Sequence, residues 1–205
     1  MLLCYNKREM RGFTVIEILI SLGIMMVFLS MGVINFPSYR GRISMDRTVQ
    51  EIVFSLRDAE SRALSVEKDP TDPTDDPFTG AFGLHFEKGE SEYILFSDDN
   101  KTGIYDTLPF PPDLDILKYN IQGSINIVGF FEEVDIGSGF FDELVGTTLD
   151  ITYLRPFPSV IVSAGETIKE DGQYEIRLRN TENGTEKSVC FWTTGLVSIR
   201  DAKCQ

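Results

Sequence analysis

The chain has 205 residues, enough for one compact domain with an additional segment, and 42% of them are hydrophobic, which suffices for a core. Its 32 acidic residues outnumber its 19 basic ones and give a formal net charge of -13. A field of this sign repels nucleic-acid phosphates and anionic lipid surfaces, so the composition argues against nucleic acid as a partner.

The N-terminus is a short basic segment, residues 1–12, followed by an apolar run. Three basic residues and one acidic residue give the first segment a charge of +2, which favours the cytoplasmic side of a membrane. Residues 13–36 contain a single charge, Glu17. As a helix this run extends about 36 Å, enough to cross a hydrocarbon core of about 30 Å. The pattern predicts one membrane-spanning helix.

Two simpler explanations account for less of this pattern. An ordinary secretory signal has a shorter apolar core that ends at small residues, whereas here Asn35, Phe36 and Pro37 follow. A plain membrane anchor fits the length but leaves Glu17 unexplained, because a carboxylate within the bilayer costs about 2.5–3.5 kcal/mol. Glu17 therefore needs a role or an oppositely charged partner.

The junction between the two segments resembles a known processing motif. The run from Gly12 to Glu17, GFTVIE, is similar to the class III leader of type IV pilins and type II secretion pseudopilins. The resemblance implies that a prepilin peptidase cuts between Gly12 and Phe13 and N-methylates Phe13. It also implies that Glu17 pairs with the terminal amine of a neighbouring subunit during assembly.

The same resemblance implies partners and a location. The partners are other pilin or pseudopilin subunits, the prepilin peptidase and the inner-membrane assembly platform. The chain is expected in the inner membrane as a single-pass protein with its globular domain outside the cytoplasm, and then in a pilus or pseudopilus filament. The predicted function is that of a structural subunit, a minor pilin or pseudopilin. No enzyme is predicted, because the sequence has no nucleophile elbow, phosphate loop or metal-ligand cluster.

Residues 37–68 are predicted to form an amphipathic helix that continues into the globular domain. Pro37 removes one backbone donor and is expected to kink or locally melt the helix. Beyond it, apolar residues from Val49 to Ala63 recur at helical spacing on an otherwise polar segment. The three prolines and four aspartates of residues 69–77 predict a solvated connector.

The remaining residues, 69–205, predict a β-rich globular domain. Asn183-Gly184 between two β-prone runs predicts a hairpin. Many short strands without an intervening helical pattern indicate an antiparallel sheet or sandwich, so the predicted fold class is α+β, a long N-terminal helix packed on an antiparallel β domain. The predicted strands are 81–87, 93–97, 114–119, 125–130, 149–154, 159–163, 173–180, 187–192 and 196–200.

The later part of the chain more loosely resembles H-type minor pseudopilins and FimT-like minor pilins. This resemblance rests on residues 56–64, 150–158 and 195–197. Some FimT-like proteins take up DNA, which gives the alternative of a membrane-anchored ligand-binding module, a DNA-uptake receptor or an adhesin at a pilus tip. The Gly-Arg-x-Arg stretch expected of a DNA receptor reads GLVS at residues 195–198, so both expected arginines are absent.

Removal of the leader would leave two of the three cysteines. Cys4 lies in the leader, whereas Cys190 and Cys204 lie near the C-terminus. An even pair in an exported domain predicts one disulfide, which closes a loop of about 15 residues and contributes roughly 3 kcal/mol. Two free thiols are the alternative. The single histidine, His85, is predicted to be a strand-surface residue rather than a ligand or a catalyst.

One loop partly matches a calcium-binding pattern. Asp98, Asn100 and Thr102 occupy alternate positions, Gly103 supplies a turn, and Asp106 is a further candidate ligand. The twelfth position of the loop is a proline where such a site needs a bidentate glutamate. A polar hairpin turn is therefore the favoured interpretation, with calcium as the alternative. No other metal or cofactor is predicted.

Overall fold

The computed structural model describes residues 13–65, 81–98, 101–106, 113–121, 123–154, 159–165, 167–169, 171–201 and 203–204. These residues form one helix and eleven strands. The chain divides into two compact units, Met1–Arg40 and Gly41–Gln205. Gly12 and the predicted connector 69–77 lie outside the described residues.

The helix, α1, spans Val15–Leu64. Its helical conformation continues through Pro37, so the prediction that the helix melts there is wrong. A proline withholds one N–H but fixes φ near the helical value, and the neighbouring backbone hydrogen bonds of a long helix persist. The helix ends before the predicted residue 68, with a last turn in which the Ser65 N–H donates to the Ser61 carbonyl at 2.8 Å.

The strands of the second unit form two antiparallel sheets. Sheet A contains, in spatial order, β3 (Leu114–Asn120), β2 (Glu92–Asp98), β1 (Ala81–Glu87), β6 (Thr148–Leu154), β7 (Ser159–Ala164) and β8 (Thr167–Ile168). Sheet B contains, in spatial order, β11 (Val197–Asp201), β10 (Glu186–Trp192), β9 (Gln173–Asn180), β4 (Ile125–Glu133) and β5 (Phe141–Glu143). The predicted α+β class is confirmed.

All nine predicted strands are present, with ends shifted by at most a few residues. The Asn183-Gly184 hairpin joins β9 to β10, with Arg179 opposite Glu186 and Gly184 at a φ of 70°. That positive φ suits glycine, which has no Cβ to clash in the left-handed region. The two short strands β5 and β8 were not predicted.

The second unit has one hydrophobic core, to which α1 and both sheets contribute. The helix contributes a stripe at a spacing of three or four residues that begins one turn before the predicted one and includes Ile52 where the spacing predicts Val53, which is only partly buried. The side chains of this stripe are at most 1% exposed: Met45, Val49, Ile52, Leu56, Ala59 and Ala63. Sheet A contributes alternate residues of β1, β2, β6 and β7, such as Leu84 and Ile151, and sheet B contributes residues mainly from β4, β9 and β10, such as Tyr174 and Ile176. This shared burial is what holds the helix and the two sheets together.

Two polar contacts join the helix to the sheets within this unit. The Ser55 hydroxyl lies 2.9 Å from the Tyr93 phenol of β2, where both groups are buried. The Arg57 guanidinium donates to the Gly195 carbonyl of the β10–β11 turn at 2.9 Å. A buried hydroxyl pair of this kind satisfies groups that would otherwise be costly to remove from water.

The buried phenol of Tyr93 predicts a loss of stability in alkali. Burial raises its pKa to about 12. Because the unfolded value is about 10, the associated stability is complete below pH 10 and is lost as the pH rises through about 12, a fall of roughly 2–3 kcal/mol. Urea unfolding of the full chain in detergent between pH 8 and 12, followed by Trp192 fluorescence, measures this fall.

Tyr93→Phe is expected to reduce the alkaline fall and to cost roughly 1 kcal/mol at neutral pH through the lost hydrogen bond with Ser55. A part of the fall remains, because burial also raises the pKa of Tyr105 and of Tyr153. Tyr39→Phe is the matched control, since Tyr39 is 64% exposed. An unchanged pH profile in Tyr93→Phe would contradict the assignment.

Candidate functional site

Thr14 caps the N-terminus of α1 and thereby positions Glu17 in the first turn. The Glu17 N–H donates to the Thr14 carbonyl at 3.1 Å, and the Thr14 hydroxyl oxygen lies 3.4 Å from the same nitrogen. A threonine at this position satisfies one of the free N–H groups of a first turn, and a carboxylate there suits the positive end of the helix dipole. Phe13, which precedes the helix, is 79% exposed.

The side chains of Val15–Gly32 form a continuous apolar surface. This segment has a mean hydropathy of 2.2, and none of it is buried. Its length and composition allow it to cross a membrane, as a membrane anchor or an export signal does. Contact between so large an apolar surface and water is unfavourable, so the segment needs a lipid or protein environment.

Glu17 lies on one face of this helix and has no nearby cation in the described part of its unit. The same face forms a shallow groove of about 330 Å³, lined by Phe13, Glu17, Ile18, Ser21, Leu22 and Met25. Within residues 13–40 the cation is Arg40, which helical rise alone places about 35 Å along the axis. A charge that neutralises Glu17 has to come from outside the described part of this unit.

A second charged group, Glu175 of β9, is fully buried in sheet B and accepts a hydrogen bond from the backbone of Cys204 near the C-terminus. One carboxylate oxygen accepts from Arg177 Nε at 2.7 Å and from the Ser188 hydroxyl at 2.8 Å. The other accepts from the backbone N–H of Cys204 at 3.1 Å. The Arg177 guanidinium also lies 3.7 Å from the centre of the Phe131 ring. These contacts compensate the cost of burying two opposite charges.

The predicted disulfide is present and lies beside this network. Cys190 of β10 and Cys204 are bonded, with their Cα atoms 5.8 Å apart. Alternation along β9 puts Glu175 on the opposite face from Tyr174 and Ile176, the face that a strand pattern predicts to contact water. Cys204, which follows β11, contacts it instead, and the pair of cysteines near the C-terminus is the signal in the sequence that could have indicated this.

Removal of the disulfide is expected to lower the free energy of unfolding by roughly 3 kcal/mol, because the bond constrains a loop of about 15 residues in the unfolded chain. The variant Cys190→Ser/Cys204→Ser tests this in the full chain by urea unfolding followed by Trp192 fluorescence. Cys4→Ser is the control and should leave the transition unchanged. Equal unfolding midpoints for the double variant and the unmodified chain would contradict the prediction.

The calcium candidates lie in the loop that follows β2, and Asn100 falls outside the described residues. Asp98 is fully buried, and its carboxylate accepts from the backbone N–H groups of Thr102 at 3.2 Å and of Gly103 at 2.8 Å. Burial raises the pKa of Asp98, while these hydrogen bonds oppose the rise. Asp106 lies 3.4 Å from the Thr102 hydroxyl.

This loop packs against sheet A. A Cβ at Gly103, which has a φ of 73°, would approach Ile161 of β7 to 2.6 Å, so only glycine fits there. No group of three or more His, Cys, Asp or Glu side chains able to hold a metal occurs among the described residues. A polar turn stays the favoured interpretation of this loop, and calcium binding by the full loop stays the untested alternative.

His85 lies in strand β1 as predicted, but it is not a surface residue. Its side chain is 13% exposed and its Nδ1 lies 2.5 Å from Asp150 Oδ1. The Tyr105 ring covers it at a centroid distance of 4.4 Å, which explains the burial. Ser163 donates to the other oxygen of Asp150 at 3.1 Å. The carboxylate thus lies between the hydroxyl and the imidazole, an order different from the serine–histidine–aspartate relay of hydrolases.

The architecture, an N-terminal apolar helix with a β domain of two antiparallel sheets, is consistent with a pilin-like fold. No protein-family model, curated protein or solved structure gives a significant match to the chain.

Proposed function

We propose that the chain is a membrane-anchored subunit of a filament of the type IV pilin or type II secretion pseudopilin class, and within that class a minor subunit. The observation that carries this proposal is Glu17. It is the single charge within Val15–Gly32, whose side chains are otherwise uncharged and unburied, and it lies one turn after Phe13.

Electrostatics gives Glu17 a function in such a filament. Cleavage between Gly12 and Phe13 creates a terminal amine whose positive charge can neutralise the carboxylate of an adjacent helix. An unpaired carboxylate is unfavourable in the bilayer, by about 2.5–3.5 kcal/mol at the centre of a membrane helix and by less near its end, so pairing favours association of helices over the isolated anchor. The charge pair also fixes the register of two apolar helices that would otherwise slide past each other.

The second unit supports the same assignment. Its disulfide suits an oxidising, extracytoplasmic compartment. Its single core, with α1 packed against two antiparallel sheets, agrees with the architecture of pilins.

Processing and incorporation test the proposal directly. The full chain with an internal epitope tag is produced in a bacterium that has a prepilin peptidase and a pilus or pseudopilus machine. Intact mass analysis should find a mature chain that begins at methylated Phe13, and sheared filaments should contain the tag. Gly12→Val should stop cleavage and incorporation together. A chain that keeps residues 1–12 and stays in the membrane fraction would reject the proposal.

A further inference from the structure

The turn between β4 and β5 carries exposed apolar side chains. Val134, Ile136 and Phe140, here called the apolar tip, are 55%, 81% and 74% exposed. Transfer of a side chain of this size from water to an apolar contact contributes about 1.5–3 kcal/mol, so a cluster of them on a surface indicates an interface.

The apolar tip is held in one conformation by its own hydrogen bonds. The Val134 N–H donates to the Phe140 carbonyl at 2.9 Å. The Gly139 N–H donates at 2.8 Å to the carboxylate of Glu133, which is 8% exposed. Gly137 permits the turn through a φ of 84°. A preorganised tip loses little conformational entropy on binding.

Acidic residues flank the apolar tip. They are Glu132, Glu133, Asp135, Asp142 and Glu143. Lys169 lies 3.3 Å from Glu132 and Lys88 lies 2.5 Å from Glu143, so five negative and two positive charges leave a net -3. This charge favours a partner with cations around an apolar surface and disfavours an anionic membrane.

A groove with those properties lies on the same unit, between α1 and β3. Its volume is about 630 Å³, and its lining includes Arg47 and Phe54 of the helix and Lys118 and Tyr119 of the strand. Phe54 is 71% exposed, an unusual fraction for an aromatic side chain beside a core helix. The groove therefore offers apolar surface for a side chain such as Phe140.

The cations of this groove face outward. Arg47 is 64% exposed while its ion-pair partner Glu51 is 40% exposed, and Lys118 is 55% exposed while Asp115 is 34% exposed. The more accessible charge of each pair is thus the positive one. Counted with Glu51, which also lines the groove, and Asp115, these four groups carry no net charge, so the groove lacks the negative charge that prevails in a chain of net charge -13. Its two more exposed cations are the groups that can face the acidic flanks of the apolar tip.

We propose that the apolar tip of one copy docks in the α1–β3 groove of a second copy. The two surfaces belong to different sheets, since β5 is an edge strand of sheet B and β3 is an edge strand of sheet A. A contact between two different surfaces of identical subunits is heterologous and repeats from copy to copy, which generates an open chain of subunits or a ring. The contact goes beyond the proposed function, because it uses the second unit and not the apolar segment Val15–Gly32.

Thiol cross-linking between two tagged copies of the full chain tests the contact in membranes. One copy carries Ser138→Cys in the turn of the apolar tip and the other carries Gln50→Cys in the groove lining, both in a Cys4→Ser background, and a short thiol-specific cross-linker is added. A docked pair should give a mixed dimer in about tenfold greater yield than colliding copies, because docking raises the local thiol concentration. The control pair combines Ser138→Cys with Leu196→Cys, a residue 58% exposed and outside the groove lining.

Charge-reversal variants in the same cross-linking experiment test the electrostatic part of the contact. Arg47→Glu with Lys118→Glu in the groove copy should lower the yield about fivefold, and Asp142→Lys with Glu143→Lys in the tip copy should restore it. A mixed dimer no more abundant than the control dimer would overturn the proposal. If the unmodified chain still enters filaments in that case, the docking contact alone is rejected and the proposed function stands.

Discussion

Glu17→Ala is expected to abolish entry of the chain into filaments while the chain remains in the membrane. The substitution removes the one charge of Val15–Gly32, so insertion of the segment becomes easier. Assembly loses the charge pair that favours helix association and fixes register. The measurement is the ratio of tagged chain in sheared filaments to tagged chain in washed membranes. This ratio should fall at least about tenfold, which corresponds to a loss of more than about 1.4 kcal/mol in the free energy of association.

Ser21→Ala is the matched control for this experiment. Ser21 lines the same groove one turn further on, and its hydroxyl donates to the Glu17 carbonyl within the helix at 2.8 Å. Its removal should leave incorporation unchanged. Normal filament entry of Glu17→Ala would exclude the assembly role and favour the alternative of a membrane-anchored binding module, which needs the helix only as an anchor.

Glu175→Ala is expected to destabilise the second unit by about 3–5 kcal/mol, because removal of one partner of a buried ion pair leaves the other charge uncompensated. Arg177, whose side chain is 12% exposed, would keep only the Phe131 ring as a described contact. The Cys204 N–H would lose its acceptor as well. Urea unfolding of the full chain in detergent, followed by fluorescence of Trp192, the single tryptophan, measures the change.

Two further variants distinguish the loss of a buried charge pair from the general effect of shortening a glutamate side chain. Glu186→Ala removes a more exposed partner, which accepts from Arg179 Nε at 2.6 Å, and should cost at most about 1 kcal/mol. Glu175→Leu with Arg177→Met removes both buried charges and should recover most of the lost stability. If Glu175→Ala and Glu186→Ala lower the free energy of unfolding equally, the buried ion pair contributes no more stability than the exposed one, which would contradict the prediction.

The strands could be predicted because alternation and turn residues are local signals. β9 and β10 each contribute alternate apolar side chains to the core on either side of an Asn-Gly turn, and both strands appear where the pattern places them. β5 has three residues and β8 two, too few for an alternating pattern to register. Their pairing depends on neighbouring strands, which short-range sequence signals do not contain.

Some residues of the candidate site could likewise be predicted from local sequence signals, and others could not. Glu17 and the cysteine pair could be found in the sequence because a lone charge in an apolar run is unusual and because two of the three cysteines lie together near the C-terminus. The burial of His85 could not be predicted, because the residue that covers it, Tyr105, lies twenty positions away in a loop. The burial of Glu175 could not be predicted for a related reason. Its carboxylate contacts Cys204, which is distant in the sequence, so no residue near β9 marks it as buried.

The disulfide gives this chain an ordered maturation. A covalent bond between Cys190 and Cys204 forms only after the thiols meet an oxidant, and such bonds persist in oxidising compartments. Its contribution of roughly 3 kcal/mol is a large share of the 5–15 kcal/mol that typically separates folded from unfolded protein. A newly made chain is therefore less stable before its thiols are oxidised than afterwards. Exposure to an oxidant, as well as the sequence, then sets how stable each copy becomes.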